Sequence, residues 1–387
     1  IHRDKGGSMA KIVKKFGGTS LKNEARLKLA IKEVSKSLES GDEVIVVVSA
    51  MGNEGDPYAT DTLIDLLKNI SPEVEPQKQD LMMSCGEIIS ASLFSHYLDS
   101  VGYTAVPMTG YQAGIFTDDN FGNASIIDID PVSINHHTSQ GKPVVLAGFQ
   151  GRTVQGEITT LGRGGSDTTA LAIADRLDAD YVEFFTDVPG VAVADPKVVD
   201  DPKYFSSISP DALLKISKHG QEIIHKPAIT RANRSNIPIY IKCAWDRKNQ
   251  TRVAKSDSDP DQPIGITSRR GFTMFKGSSK TINRDLKLNR KAKEIFHLED
   301  KKSLALVPEE VNTVPENGYI RKDRISTITL VETSPGPSRK TRVEKVKALG
   351  PERWLEYIVT DCGTKLMVEY EDREPLIQEI YDIFYGK

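Results

Sequence analysis

Thr160-Leu161-Gly162-Arg163-Gly164-Gly165-Ser166-Asp167-Thr168-Thr169-Ala170 is the stretch on which the reading of this chain turns. Three glycines, one permanent cation, one carboxylate and several hydroxyls stand just ahead of a helical pattern at 167–177. Such a turn lets backbone N–H groups come close to an anion, with a helix N-terminus behind them. A second glycine turn, Lys15-Phe16-Gly17-Gly18-Thr19-Ser20, lies far upstream. Two such turns imply a site that holds two anions, or one polyphosphate from two sides. The upstream turn lacks both G-x-x-x-x-G-K-[ST] and G-x-G-x-x-G, so neither a P-loop nor a nicotinamide fold is expected.

Around these turns the chain alternates strand-like and helix-like segments. Strands are expected at 10–13, 43–49, 104–108, 142–149 and 181–186, and helices at 24–39, 80–100 and 167–177. The run Glu43-Val44-Ile45-Val46-Val47-Val48-Ser49 is continuously apolar and β-branched between its end residues, as in a parallel strand buried on both faces. The alternation predicts a three-layer α/β/α open sheet. Ligands of such sheets bind beyond the carboxyl ends of the strands, where the glycine turns fall.

The polar, proline-bearing stretch 256–263 reads as a linker. It separates a catalytic domain at 9–265 from an α+β region at 270–387. In the latter, strands are expected at 272–275, 303–307, 325–332, 355–360 and 365–370, and helices at 290–297, 340–349 and 375–385. The closing strand-helix-strand-strand-helix order suggests a ferredoxin-like module. Residues 1–8 lack the apolar core of a signal peptide and read as a remnant of expression.

The 387 residues carry a net charge of −3 and 27% charged residues, so neither a nucleic acid nor an anionic membrane is expected as partner. No apolar run approaches the roughly 20 residues that span a bilayer. Three cysteines (Cys85, Cys243, Cys362) match neither a disulfide framework nor a metal pair, which fits a cytoplasmic setting. No metal ligand set is expected.

Taken together, the motifs resemble those of the aspartate kinases of the amino acid kinase family. The matching residues are Lys15 to Ser20, Ser49-Ala50-Met51-Gly52, Cys85-Gly86-Glu87, Gln112-Ala113-Gly114-Ile115 and Ala147-Gly148-Phe149-Gln150-Gly151. Gly156 through Asp167, Thr186-Asp187-Val188-Pro189-Gly190 and Ala194-Asp195-Pro196 complete the set. They span residues 9 to about 250 in order. The resemblance implies phosphorylation of the side-chain carboxylate of aspartate by MgATP, giving 4-phospho-L-aspartate, the first step toward lysine and threonine. A carboxylate is already ionised at neutral pH, so the chemistry needs cations and alignment more than a general base.

By the same resemblance Lys15 stabilises the transferring phosphoryl group and Asp167 holds Lys15, although Asp167 also reads as a helix N-cap. Arg163 pairs with a carboxylate of the bound amino acid and Glu87 takes its ammonium. Ser49, Thr60, Gly165 and Ser166 are further contacts to the amino acid. Gly17, Gly18, Thr186, Asp187 and Lys197 face ATP. Three positions depart from the family pattern: Ala192 replaces an aromatic, Lys197 an arginine and Glu222 a lysine near the phosphates. His225 reads as a packed structural residue. By resemblance the C-terminal region corresponds to paired ACT domains, which implies an amino-acid effector and a dimer or tetramer, but the loop signature is blurred at 334–338, and an oligomerisation domain without a ligand is the alternative reading. An acceptor other than aspartate, or a non-catalytic subunit on the same scaffold, remain the alternatives.

Overall fold

A computed structural model of the chain describes residues 9–220, 223–255, 264–282, 292–298, 300–311, 319–332, 344–360 and 363–386. These fall into two units. The first holds 9–191, 204–214 and 223–255, and the second holds 192–203, 215–220 and the described residues from 264 onward. Two short segments thus group with the C-terminal residues, which a single cut of the sequence does not anticipate. The linker expected at 256–263, Glu222, Cys362 and the 334–338 loop lie outside the described residues.

The first unit begins with strand β1 (Lys11–Phe16), helices α1 (Gly18–Leu21) and α2 (Glu24–Glu39) and strand β2 (Glu43–Val48). Helices α3 (Thr60–Lys68) and α4 (Pro76–Ser100) lead to β3 (Val106–Met108), β4 (Ile115–Thr117) and β5 (Ile126–Ile129). Then come α5 (Val132–Thr138), β6 (Val144–Ala147), β7 (Gln150–Arg152), β8 (Ile158–Thr160), α6 (Gly165–Arg176) and β9 (Tyr181–Phe185). Strand β10 (Ser207–Ile208), helices α7 (Pro210–His219) and α8 (Lys226–Ser235), and strands β11 (Ile239–Lys242) and β12 (Thr251–Val253) follow.

Eight strands form the main sheet in the order β10-β12-β11-β9-β1-β2-β6-β3. Every pair is parallel except β11 with β12. Residues 44–48 of β2 are essentially inaccessible, as their composition requires. On one face Phe16, Val46 and Val48 pack against Leu27, Ile31 and Val34 of α2 and Phe94 and Leu98 of α4. Phe16 stacks on Phe185, ring centroids 4.6 Å apart, so Phe16→Ala costs about 3–5 kcal/mol. The other face is covered by α6, whose Ala170 to Ala174 are buried all round. This is the three-layer α/β/α arrangement. A smaller sheet, β5-β4-β7-β8, lies in the same unit.

The start of α2 shows how local chemistry sets an element. Asn23 caps the helix by accepting from the Arg26 N–H at 3.0 Å, and Leu27, Ile31 and Val34 then recur on its buried face. Beneath the sheet's carboxyl edge, Glu183 accepts from the ammonium groups of both Lys14 and Lys242. These residues come from three adjacent strands.

The second unit contains one antiparallel sheet. Its strands are β13 (Ile264–Ser278), β14 (Glu294–His297), β15 (Lys302–Pro308), β16 (Tyr319–Glu332), β17 (Glu356–Thr360) and β18 (Gly363–Glu369). The order β14-β15-β13-β16-β18-β17 reads the same from either end. In each half the first strand pairs with the third and the third with the second, the core of a ferredoxin-like module. The halves join where β13 runs antiparallel to β16. The C-terminal helix Arg373–Tyr385 follows β18. This is the ACT-like α+β region, with both of its modules visible.

One expected element is wrong. The helix read at 290–297 is not formed: Glu294–His297 is a strand paired with β15. Lys, Ala and Glu there favour helix weakly, and ladder pairing plus burial of Phe296 on Leu304 and Leu306 overrides them.

Candidate active site

The parallel order puts the ends of β1, β2 and β6 side by side. The residues that follow them wall a cavity of about 570 Å³ together with α3, α4 and the 162–167 turn. Lys15, Gly18, Ser49, Thr60, Glu87, Arg163, Gly165, Ser166 and Asp167 all line it. Nine residues from five separated stretches of sequence therefore meet in one place. A cavity of this size suits a small charged ligand.

Lys15 Nζ lies 2.6 Å from Asp167 Oδ1, with both side chains largely shielded from water. The other Asp167 oxygen accepts from the His225 N–H at 3.2 Å. Asp167 is the third residue of α6, inside its first turn, and the N-cap is Gly164. The N-cap reading of Asp167 is thus replaced: its carboxylate turns to Lys15, and its charge still suits the helix N-terminus. His225 packs its ring against Gly164, where a side chain would collide with it, so a structural role for the ring fits.

Gly162 and Gly164 have φ of 71° and 68°, in the left-handed region that only glycine enters at little cost. They lift Arg163 out on a tight turn, exposed and without an ion-pair partner among the described residues. Phe149, at the end of β6, holds φ 70° although it is not glycine, and it lines the same cavity. Such strain gathers at binding sites. Gly165 leaves room for its ring, since a methyl group there would come within 2.6 Å of Phe149 Cδ2.

Glu87 is 3% exposed. Its Oε1 accepts from the Ala50 N–H at 3.0 Å, while Oε2 is buried without a hydrogen-bond partner among the described residues. Burial pushes its carboxyl up to about 8, against the opposing pull of the Ala50 N–H and the Lys15 ammonium. A buried, unfilled acceptor on a cavity wall is a receptor for a donor, and a cationic donor best restores its ordinary ionisation.

Other expected residues lie off this cavity. The Gly17 N–H donates to the Phe185 carbonyl, and a side chain on Gly17 would lie 3.7 Å from Lys15 Nζ. Gly18, which does line the cavity, is fixed by packing, because a methyl group there would meet the Ala50 and Gly52 carbonyls at 2.6 and 2.7 Å. Thr186 follows β9 and donates to Asp187 Oδ1 at 3.0 Å. Lys197 and Ala192 belong to the second unit.

Sequence reading missed several wall residues. Gln79 and Met83 precede Glu87 by eight and four residues on α4, and that helical spacing was the available signal. Asp61 sits beside Thr60, and Glu54 lies on the turn after β2. Gly122 reaches the wall from a loop with no sequence signal.

A doubly covered, almost all-parallel sheet carries at its strand ends an ion pair, a guanidinium with no ion-pair partner among the described residues and an unfilled carboxyl, the arrangement of an α/β protein with groups of both charge signs around one small-molecule-sized cavity. The chain belongs to the amino acid kinase family, whose sequence profile matches residues 10–243. It is 40% identical to aspartokinase 1 of Bacillus subtilis over 276 residues, covering 70% of this chain and 68% of that one. It is 37% identical to the aspartokinase of Mycolicibacterium smegmatis over 252 residues, covering 65% of this chain and 59% of that one. In fold it is similar to E. coli aspartokinase III, solved with aspartate and ADP, with TM-score 0.68 and 21% identity across 97% of this chain and 99% of that one. No helix among the described residues is long and apolar enough to cross a membrane.

Proposed function

We propose that this chain transfers the terminal phosphoryl group of MgATP to the side-chain carboxylate of L-aspartate, giving 4-phospho-L-aspartate and ADP. The observation that carries this reading is the meeting, in one cavity, of the Lys15–Asp167 pair, the unfilled Glu87 oxygen and an Arg163 with no ion-pair partner among the described residues. The names of the similar proteins support it: both sequence relatives are aspartokinases, and the E. coli enzyme was solved with aspartate and ADP.

In this reading Arg163 takes the α-carboxylate through two parallel N–H donors, and Glu87 takes the α-ammonium. Ser49, Thr60, Gly165 and Ser166 complete the amino-acid pocket. The side-chain carboxylate is then directed toward Lys15. A carboxylate oxygen attacks the γ-phosphorus and the bond to the ADP oxygen breaks. No proton leaves the acceptor, so no general base is required. Two anions must approach each other, and Lys15, oriented by Asp167, offsets their repulsion. Gly17, Gly18, Thr186 and Asp187 form the nucleotide side, and Mg²⁺ brought in with ATP would neutralise further charge on the phosphates. The cytoplasm, which supplies both substrates, is part of the same proposal.

Trapping the acyl phosphate with hydroxylamine tests the assignment. Hydroxamate forms with L-aspartate and MgATP, and fails to form with N-acetyl-aspartate, which has no ammonium for Glu87. No product with aspartate, or equal product with both, removes the reading. The C-terminal modules are proposed to carry an amino-acid effector site and to support a homo-oligomer. Inhibition by added lysine or threonine, and mass by light scattering, test those two points.

A further inference from the structure

Asp80 is fully buried on α4, two helical turns before Glu87. Its Oδ2 accepts from the Thr160 N–H at 2.8 Å and the Gly122 N–H at 2.9 Å, and its Oδ1 accepts from the Thr160 hydroxyl at 2.8 Å. A buried carboxylate is costly unless donors surround it, so these three donors and the charge hold one another in place. Asp80 is not on the cavity wall, but what it grips is next to that wall. Thr160 ends β8, three residues before Arg163, and Gly122 itself lines the cavity. The loop bearing Gly122 is tied to the same strand end, because the Ala124 N–H donates to the Thr160 carbonyl at 2.9 Å.

The helix that carries Glu87 is thereby locked to the turn that carries Arg163. We propose that Asp80 is a positioning residue that fixes the span between Glu87 and Arg163, and through it the handedness of the amino acid accepted. The inference rests on the reading that these two groups hold the ammonium and the α-carboxylate. Three attachment points distinguish mirror images: Glu87, Arg163 and the phosphoryl group in transfer. Loosening the first two relative to each other relaxes that discrimination without touching the nucleotide side. Asn at position 80 can still accept two N–H bonds through its oxygen and meet the Thr160 hydroxyl with its amide, so it should rescue much of the effect.

The experiment compares the intact native chain with Asp80→Ala and Asp80→Asn. For Asp80→Ala the KM for L-aspartate rises about tenfold or more, the KM for ATP stays within about twofold, and the L- over D-aspartate ratio of kcat/KM falls by a similar factor. Asp80→Asn shifts the same two quantities by about threefold. A purely structural role would lower the active fraction and leave both KM values and the L/D ratio unchanged, and that result overturns the proposal. So does a parallel rise in both KM values. If Asp80→Ala does not fold, Asp80→Asn decides: an unchanged KM for L-aspartate and L/D ratio then overturn it. The acceptor reading fails separately, when Glu87→Gln and Arg163→Ala leave the KM for L-aspartate at its native value.

Discussion

Glu87 and Glu183 are each 3% exposed, and their carboxyls are driven in opposite directions. Burial raises Glu87 to about 8 because one oxygen has a single N–H donor and the other has no partner. Burial also pushes Glu183 upward, but the ammonium groups of Lys14 and Lys242 outweigh it and hold that carboxyl below its ordinary range. Equal burial therefore does not mean equal chemistry. Glu183 is completed by its own chain, while Glu87 is left incomplete on a cavity wall, which is why it is proposed as the receptor for an ammonium. Lys14 and Lys15 repeat the lesson one residue apart on β1. Lys14 is sealed against Glu183, and Lys15 faces the cavity beside Asp167.

The largest effect that could break this comparison is expected at Lys15. Lys15→Ala lowers kcat by roughly three orders of magnitude with a much smaller change in aspartate affinity, because its charge matters most during transfer. Steady-state kinetics showing comparable turnover would return Lys15 to the structural class of Lys14. Glu183→Gln leaves two shielded ammonium groups without their counter-charge, a loss of about 3–5 kcal/mol readable in a denaturant titration. A stability within error of native would mean that the cluster is dispensable.

Glu87→Gln is expected to raise the KM for L-aspartate roughly 30- to 100-fold, the loss of one charge-assisted contact. It should also stabilise the free protein at alkaline pH. The folded state keeps a proton on Glu87 between pH 4.5 and about 8 that the unfolded chain releases, so native stability falls as pH rises through that window. The variant lacks this slope, and melting curves at pH 5 and 9 check it. The same group gives the affinity a pH dependence. An ammonium binds the ionised carboxyl, so the KM for aspartate rises as pH drops below about 8, by at most about tenfold per unit. A flat KM between pH 6 and 8 would separate Glu87 from the ammonium.

Much of the fold was legible because its signals are local. The helix 24–39 follows from its helical spacing and the strand starting at 43 from a β-branched run, while the Asn23 cap emerges only in the structure. Where local preference was weak, pairing decided, as at Glu294–His297. The symmetry of the C-terminal sheet was hidden because its two halves share strand order and little sequence pattern. On the cavity wall, the residues of the two glycine turns stood out in the sequence, those placed by loop geometry alone, such as Gly122 and Glu54, did not, and the motif at Thr186-Asp187 lies off the wall.

By itself the sequence determined the alternation of strands and helices, the positions of the two glycine turns and the identity of the charged groups within them, since these depend on neighbouring residues and on backbone freedom. Only the tertiary structure decided which charges are satisfied. Glu87 and Glu183 differ through partners contributed by distant strands and helices, and a carboxyl's ionisation is set by what surrounds it in space.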